Sequence, residues 1–123
     1  MYRIFISHSS VEDRQATALK RWLVQQDPPL ANEIFLDSDR RTGIRPGKRW
    51  KDELQRVMQQ CEAVVCLLSV NWHSSLECQT EFRTAENLNK RIFPARLEPH
   101  TVHEDERIRG ITRGRYYWRL APG

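Results

Sequence analysis

The chain has 123 residues with a formal charge of +4, 39% hydrophobic residues and 29% charged residues. These values are ordinary for one globular domain and exclude a disordered chain. No apolar run approaches the roughly 20 residues of a membrane-spanning helix, and no signal-peptide pattern precedes the first apolar segment. We therefore expect a cytoplasmic protein without a membrane partner.

The positive charge is concentrated at the carboxyl end of the chain. Residues 107–123 contain five arginines and no acid, which leaves 15 basic against 16 acidic residues in the rest. Together with Tyr116, Tyr117 and Trp118, this segment could touch a nucleic acid, but a solvated or partner-facing strand is the favoured interpretation. Nucleic acid is therefore not an expected partner.

The sequence predicts neither a disulfide framework nor a metal centre. Cys61, Cys66 and Cys78 are an odd number without CxxC spacing, so reduced thiols are expected. Asp37 and Asp39 lie close together, but no second carboxylate cluster completes a metal site with them.

Apolar segments alternate with amphipathic helices along the chain. The predicted strands are residues 2–7, 33–37, 63–68 and 92–97, with a further edge strand within residues 111–120. The run at 63–68 is apolar at every position, which is typical of a central strand buried on both faces. The order predicts an α/β fold of three layers, with a parallel sheet of four to five strands and helices on both faces.

Two helices are predicted before the central strand. The first begins at Ser9, which with Glu12 forms a capping-box pattern, and it ends before Pro28. Its predicted apolar face consists of Val11, Ala18, Leu19 and Trp22. The predicted apolar face of the second consists of Trp50, Leu54, Val57, Met58 and Cys61.

A third helix, opened by Ser74 or Ser75, contains a carboxylate where an apolar residue is expected. At about 100° per residue, Glu81 falls inside the arc formed by Cys78, Phe82, Ala85 and Leu88. Removing a carboxylate from water costs several kcal/mol unless partners satisfy it. Glu81 is therefore either paired, or poised for a ligand, or a residue whose head reaches water while its stem packs.

The loops after the first three strands should meet at one edge of the sheet, where α/β proteins bind ligands. Ser9 and Ser10 at a helix start suit a phosphate, and Arg45 could clamp a pyrophosphate, although simple capping and a solvated loop explain them equally. His8 could contact a ligand or merely bond a neighbour. Trp72 could stack on a flat ring or fill the core.

Several segments in this order resemble the Toll/interleukin-1 receptor (TIR) domains, especially the bacterial type. The matching segments are YRIFISHS at residues 2–9, FLD at 35–37, GIRPG at 43–47, residues 61–69, NW at 71–72, EF at 81–82 and IFP at 92–94. The resemblance covers residues 2–98 of one domain, residues 1–123. Residues 99–123 depart from it, because the family normally adds a fifth strand and a last helix, so this end is atypical or belongs to a longer chain.

The resemblance implies a flavodoxin-like fold and one of two functions. Enzymatic members cleave the nicotinamide-ribose bond of NAD+, which is a substrate and not a resident cofactor, and they depend on self-association. Glu81 falls at the position of the catalytic glutamate, and His8, Ser9, Ser10 and Arg45 fall where those members line the dinucleotide site. The alternative is a domain that only assembles signalling complexes.

One position departs from the enzymatic pattern. Many members have an aromatic residue four positions before the catalytic glutamate, where this chain has Glu77. Either the stacking partner of nicotinamide is missing, or Trp72 supplies it. Glu77 could instead form a capping box with Ser74.

Overall fold

The computed structural model describes residues 2–36, 48–97 and 118–120, with side chains described within 2–36 and 52–97. Within these residues, five parallel strands form one sheet in the order β2-β1-β3-β4-β5. The strands are β1 (Ile4–Ser7), β2 (Ile34–Leu36), β3 (Ala63–Leu68), β4 (Arg91–Leu97) and β5 (Trp118–Leu120). This order confirms the flavodoxin-like fold, in which the strand order reverses between β1 and β3.

The helices in the described residues are α1 (Asp13–Gln26), α2 (Lys48–Gln60), α3 (Val70–Ser74) and α4 (Leu76–Asn87). Short 3₁₀ turns precede and follow α1, at Ser10–Glu12 and Pro28–Asn32. As predicted, α1 ends just before the proline pair, because proline cannot donate the helical hydrogen bond. The sequence did not predict α3, a short helix that joins β3 to α4.

Two hydrophobic cores lie on opposite faces of the sheet, as predicted for three layers. Residues of the central strand β3 alternate between them: Val64, Cys66 and Leu68 pack with α2 and α4, and Val65 and Leu67 pack with α1. Since successive side chains of a strand point to opposite faces, a strand covered on both faces is apolar throughout.

The apolar face predicted for α1 is wrong except at Leu19, which is buried. Val11 and Trp22 are 72% and 45% exposed, and Ala18 is also exposed. The buried residues of α1 are Ala16, Leu19 and Leu23. Val11 lies in the 3₁₀ turn, whose roughly three residues per turn displace it from the face of the α-helix that follows.

Helix α4 is capped at both ends. The Ser75 side chain accepts a hydrogen bond from the Cys78 backbone N–H at 3.2 Å. Ser74 instead belongs to α3, so the suggested capping box of Ser74 with Glu77 is wrong. At the other end, Asn89 has a positive φ of 55°, and the backbone N–H groups of Asn89 and Lys90 bond the last turn in a Schellman motif.

Some predictions concern features that the structure describes only in part. Asp37, Asp39 and Arg45 lie outside the described residues, as does most of the predicted edge strand at 111–120. The described residues contain no helix long and apolar enough to cross a membrane. No group of three or more His, Cys, Asp or Glu within the same residues could hold a metal ion.

Candidate active site at the carboxyl edge of the sheet

Glu81 lies inside the protein, against the carboxyl end of β1. Its side chain is 0% exposed, and its Oε1 accepts a hydrogen bond of 2.6 Å from the Ser7 hydroxyl. Ser7 is the last residue of β1, and it shares a face with Phe5, which belongs to the core under α4. The strand and the helix thus bring together two residues that are 74 positions apart.

Trp72 completes this arrangement from α3. Its indole Nε1–H donates to the Ser7 hydroxyl oxygen at 3.0 Å. The ring is 0% exposed and packs edge-on against Phe82 at a centroid distance of 6.0 Å. Of the two alternatives for Trp72, the structure supports core packing; contact with a substrate remains a prediction.

Two buried thiols share the environment of Glu81. Burial raises the pKa of the Cys66 thiol well above its usual value, and the negative charge of Glu81 and then the Cys78 thiol raise it further. Cys61, Cys66 and Cys78 are buried thiols that are not in disulfides. The thiol of Cys66 therefore stays protonated near neutral pH and adds no second negative charge beside Glu81.

A second buried carboxylate lies at the same edge. The Ser69 hydroxyl, directly after β3, donates to Oε1 of Glu12 at 2.5 Å. Ser69 also caps α3 by accepting from the Trp72 backbone N–H at 3.0 Å. Trp72 therefore connects two serine-carboxylate pairs, one through its backbone and one through its indole.

The predicted helix-start residues lie beside these pairs. His8 is 1% exposed, and its Nε2 lies 2.7 Å from Oδ1 of Asp13, while its Nδ1 has no hydrogen-bond partner among the described residues. Ser9 is buried, and its Oγ accepts from the Val11 backbone N–H at 3.3 Å. Ser10 is exposed. The structure thus brings His8 and Ser9 to the edge that holds Glu81.

Sequence reasoning assigned no site role to Ser7, Glu12 or Ser69. The sequence did contain a signal for Ser7 and Ser69, because each is a polar residue directly after the apolar residues of a strand. The two strands, β1 and β3, lie on either side of the point where the strand order reverses, and ligands bind at this point in such folds. Glu12 had been interpreted as the second half of a capping box with Ser9. Its carboxylate instead accepts from a residue 57 positions away, so that interpretation is wrong.

Comparison with known proteins points to one family. A family model described as TIR domain matches residues 4–121. Comparison with curated protein sequences gives no match.

Two solved structures are similar in fold. One contains the TIR domains of the activated Roq1 resistosome directly recognizing the pathogen effector XopQ, with a TM-score of 0.57 and 20% identity over 81% of this chain. The chain spans only 60% of that Roq1 chain. The other is the Clostridium botulinum CMP N-glycosidase BcmB, with a TM-score of 0.61 and 15% identity over 98% of this chain and 88% of BcmB. At these identities the likeness shows a shared fold.

Proposed function

This chain belongs to the TIR domain family, and we propose that it cleaves the N-glycosidic bond of a nucleotide, with NAD+ as substrate and Glu81 as catalytic carboxylate. The observation that carries the proposal is the complete burial of Glu81 beside the carboxyl end of β1. Proteins with this strand order bind their ligands where β1 and β3 diverge. A carboxylate held there at a cost in solvation is a candidate for function.

The chemistry of NAD+ suits a single carboxylate. When the bond between ribose C1 and the pyridinium nitrogen breaks, the electron pair leaves with nicotinamide, which departs as a neutral molecule. No general acid is therefore needed, whereas the ribose becomes positively charged. Glu81 stabilises this oxocarbenium character, and it does so more strongly where water is excluded. Water then adds to C1 and releases a proton, unless a base within the nucleotide adds there and cyclises the product.

His8, Ser9 and Ser10 are proposed to bind the dinucleotide with Arg45. Because the Nε2 of His8 faces the Asp13 carboxylate, a neutral ring carries its proton there and presents Nδ1 as an acceptor. This buried atom has no partner among the described residues, so it suits a ligand hydroxyl. The fold likeness to a CMP N-glycosidase supports the same class of bond cleavage.

Self-association is part of the proposal. A substrate reaches the buried carboxylate only after a local opening, which assembly could stabilise. Val11, Val70 and Leu76 are 72%, 56% and 80% exposed; Val70 and Leu76 are the first residues of α3 and α4, and Val11 lies in the 3₁₀ turn before α1. If these residues form one apolar patch, it would suit contacts between copies of the domain.

The decisive experiment measures nicotinamide release from NAD+ by chromatography, with the protein both dilute and clustered on a support. CMP is assayed in parallel, because release of cytosine would indicate a different nucleotide substrate. Glu81→Gln is compared with Glu62→Gln, a change of the same kind at a side chain that is 72% exposed before β3. We expect cleavage of NAD+ by wild type and Glu62→Gln, and at least ~100-fold less by Glu81→Gln. Equal rates in all three would refute a catalytic role for Glu81.

The second candidate is an interaction domain without chemistry. Two observations favour this candidate: the exposure of Val70 and Leu76, and the complete burial of Glu81, which keeps its carboxylate away from a substrate. This candidate predicts that clustered wild-type protein releases no base from NAD+ or CMP, while Leu76→Asp weakens self-association measured by light scattering.

A further inference from the structure

We infer that Ser7 is a positioning residue for Glu81, and that Trp72 sets the direction in which the Ser7 hydroxyl donates its proton. The inference deepens the proposed function and depends on it for its catalytic meaning. It concerns two residues that do not have to touch the substrate.

The direction of the Ser7 hydroxyl follows from the number of its protons. A serine hydroxyl has one proton and two acceptor lone pairs, whereas an indole N–H can only donate. Because Trp72 Nε1 lies 3.0 Å from Ser7 Oγ, the oxygen must accept there. Its own proton is then free for the carboxylate oxygen of Glu81, 2.6 Å away.

The surroundings leave this hydrogen bond little competition from water. Ser7, Trp72 and Glu81 are each 0% exposed. A hydrogen bond to an ionised carboxylate is stronger than one between neutral groups, and it favours the ionised form. Ser7 therefore both fixes the position of the carboxylate and helps to keep it charged.

Among the described residues, Cys66 of β3 is a titratable group coupled to Glu81, and Cys78 of α4 also acts on the Cys66 thiol. Because the Cys66 thiol stays neutral near pH 7, its replacement is not expected to reproduce the effect of losing the Ser7 proton. Ser7 is therefore a described hydrogen-bond donor whose removal should affect the ionisation of Glu81.

Ser69 provides a matched control. It is also a buried serine that donates to a carboxylate and accepts from Trp72, but its carboxylate partner is Glu12. Ser69→Ala therefore removes the same atoms and a comparable pair of hydrogen bonds at the same edge, without removing the proton given to Glu81.

The experiment measures kcat, KM and the pH dependence of NAD+ cleavage for clustered wild type, Ser7→Ala, Ser7→Thr, Trp72→Phe and Ser69→Ala. For Ser7→Ala we expect kcat to fall by roughly 10- to 100-fold and KM to change by less than about threefold. The acid limb of the pH-rate profile, where activity falls because Glu81 becomes protonated, should move to higher pH by about one unit. Trp72→Phe should move the limb in the same direction by less. Ser7→Thr keeps the hydroxyl and should restore most activity, and Ser69→Ala should lower stability without moving the limb.

The inference is overturned if Ser7→Ala keeps the wild-type acid limb, or if Ser69→Ala moves it equally. A ¹³C NMR titration of the Glu81 carboxyl carbon makes the same comparison without turnover. If wild type cleaves no nucleotide, the proposed function fails, while an upward displacement of this titration in Ser7→Ala alone would still support the role of Ser7. If Ser7→Ala does not fold, Trp72→Phe carries the same test.

Discussion

Replacing the catalytic candidate should make the domain more stable. In Glu81→Gln the side chain keeps its size, and its amide oxygen can still accept the Ser7 hydrogen bond. What disappears is the charge of a side chain that is 0% exposed. We expect this variant to gain stability while it loses the proposed activity, since functional sites are often held at a cost to the fold.

The magnitude follows from two opposing contributions. Burying an ionised carboxylate costs several kcal/mol even after relaxation. Against this, a hydrogen bond to a charged group contributes about 1.5–3 kcal/mol and one to a neutral group about 0.5–1.5 kcal/mol, and the new amide N–H groups also need partners. The expected net gain is about 1–2 kcal/mol, or a rise in Tm of about 4–8 °C for a domain of this size.

Urea unfolding at pH 7, followed by tryptophan fluorescence and circular dichroism, measures this difference. Glu62→Gln is the control, because its side chain is 72% exposed in a 3.7 Å ion pair with Arg3 and should change stability by less than about 0.5 kcal/mol. A Glu81→Gln variant that is less stable than wild type would refute the reasoning. The carboxylate would then stabilise the core, and its burial would no longer argue for function.

Three further predictions concern pH and helix ends. Burial raises the pKa of Cys61 from 9.0 to about 11, and the charge of Lys90 opposes this rise. As the pH rises, the unfolded chain therefore loses the thiol proton before the folded chain does, and the free energy of unfolding should fall between these two pH values. Urea unfolding should show a steeper fall for wild type than for Cys61→Ala. Ser75→Ala should cost about 1 kcal/mol by loss of the α4 cap, whereas Ser74→Ala, which removes only a bond to a carbonyl one turn back, should be near neutral in thermal unfolding. Because Asn89 has a φ of 55°, Asn89→Ala should cost about 1 kcal/mol and Asn89→Gly should be neutral or stabilising by the same assay.

Sequence patterns predicted the sheet well, because each strand carries its own local signal. The apolar run of β3 was predicted with the bounds that the structure has, since a strand covered on both faces needs no polar position. The arc around Glu81 was also confirmed: Cys78, Phe82 and Ala85 are buried on the same side of α4. Periodicity was sufficient there because one apolar stripe clearly stood out.

The buried face of α1 shows where periodicity is insufficient. Two apolar stripes pass through Leu19, one with Ala18 and Trp22 and the other with Ala16 and Leu23. Both satisfy a helical period, and only packing against the sheet decides that the second is buried. Propensity and spacing contain no information on that contact.

The hydrogen bonds of the site were beyond sequence reasoning for a related reason. Ser7 and Ser69 could be placed at one edge from strand order alone, but their partners could not. Glu12 matched a local capping pattern and Glu81 matched none, yet both carboxylates accept from serines far away in the chain. Local sequence patterns indicate only hydrogen-bond partners that are near in the sequence. A buried carboxylate instead bonds to whichever donor the folded chain brings close to it.

Complete burial of Glu81 makes access to it an energetic question. If a substrate enters by displacement of α3, the fully buried Trp72 leaves its contacts with Ser7 and Phe82 during entry, and its bond to Ser7 forms again when α3 closes over the bound substrate. Losing the packing of a buried tryptophan costs about 3–5 kcal/mol, so the open fraction of an isolated domain would be on the order of 10⁻² to 10⁻⁴. A partner copy that binds the open state must favour it by at least that free energy to populate it. The depth at which Trp72 is buried therefore links the low activity expected of a dilute domain to the activity expected of an assembled one.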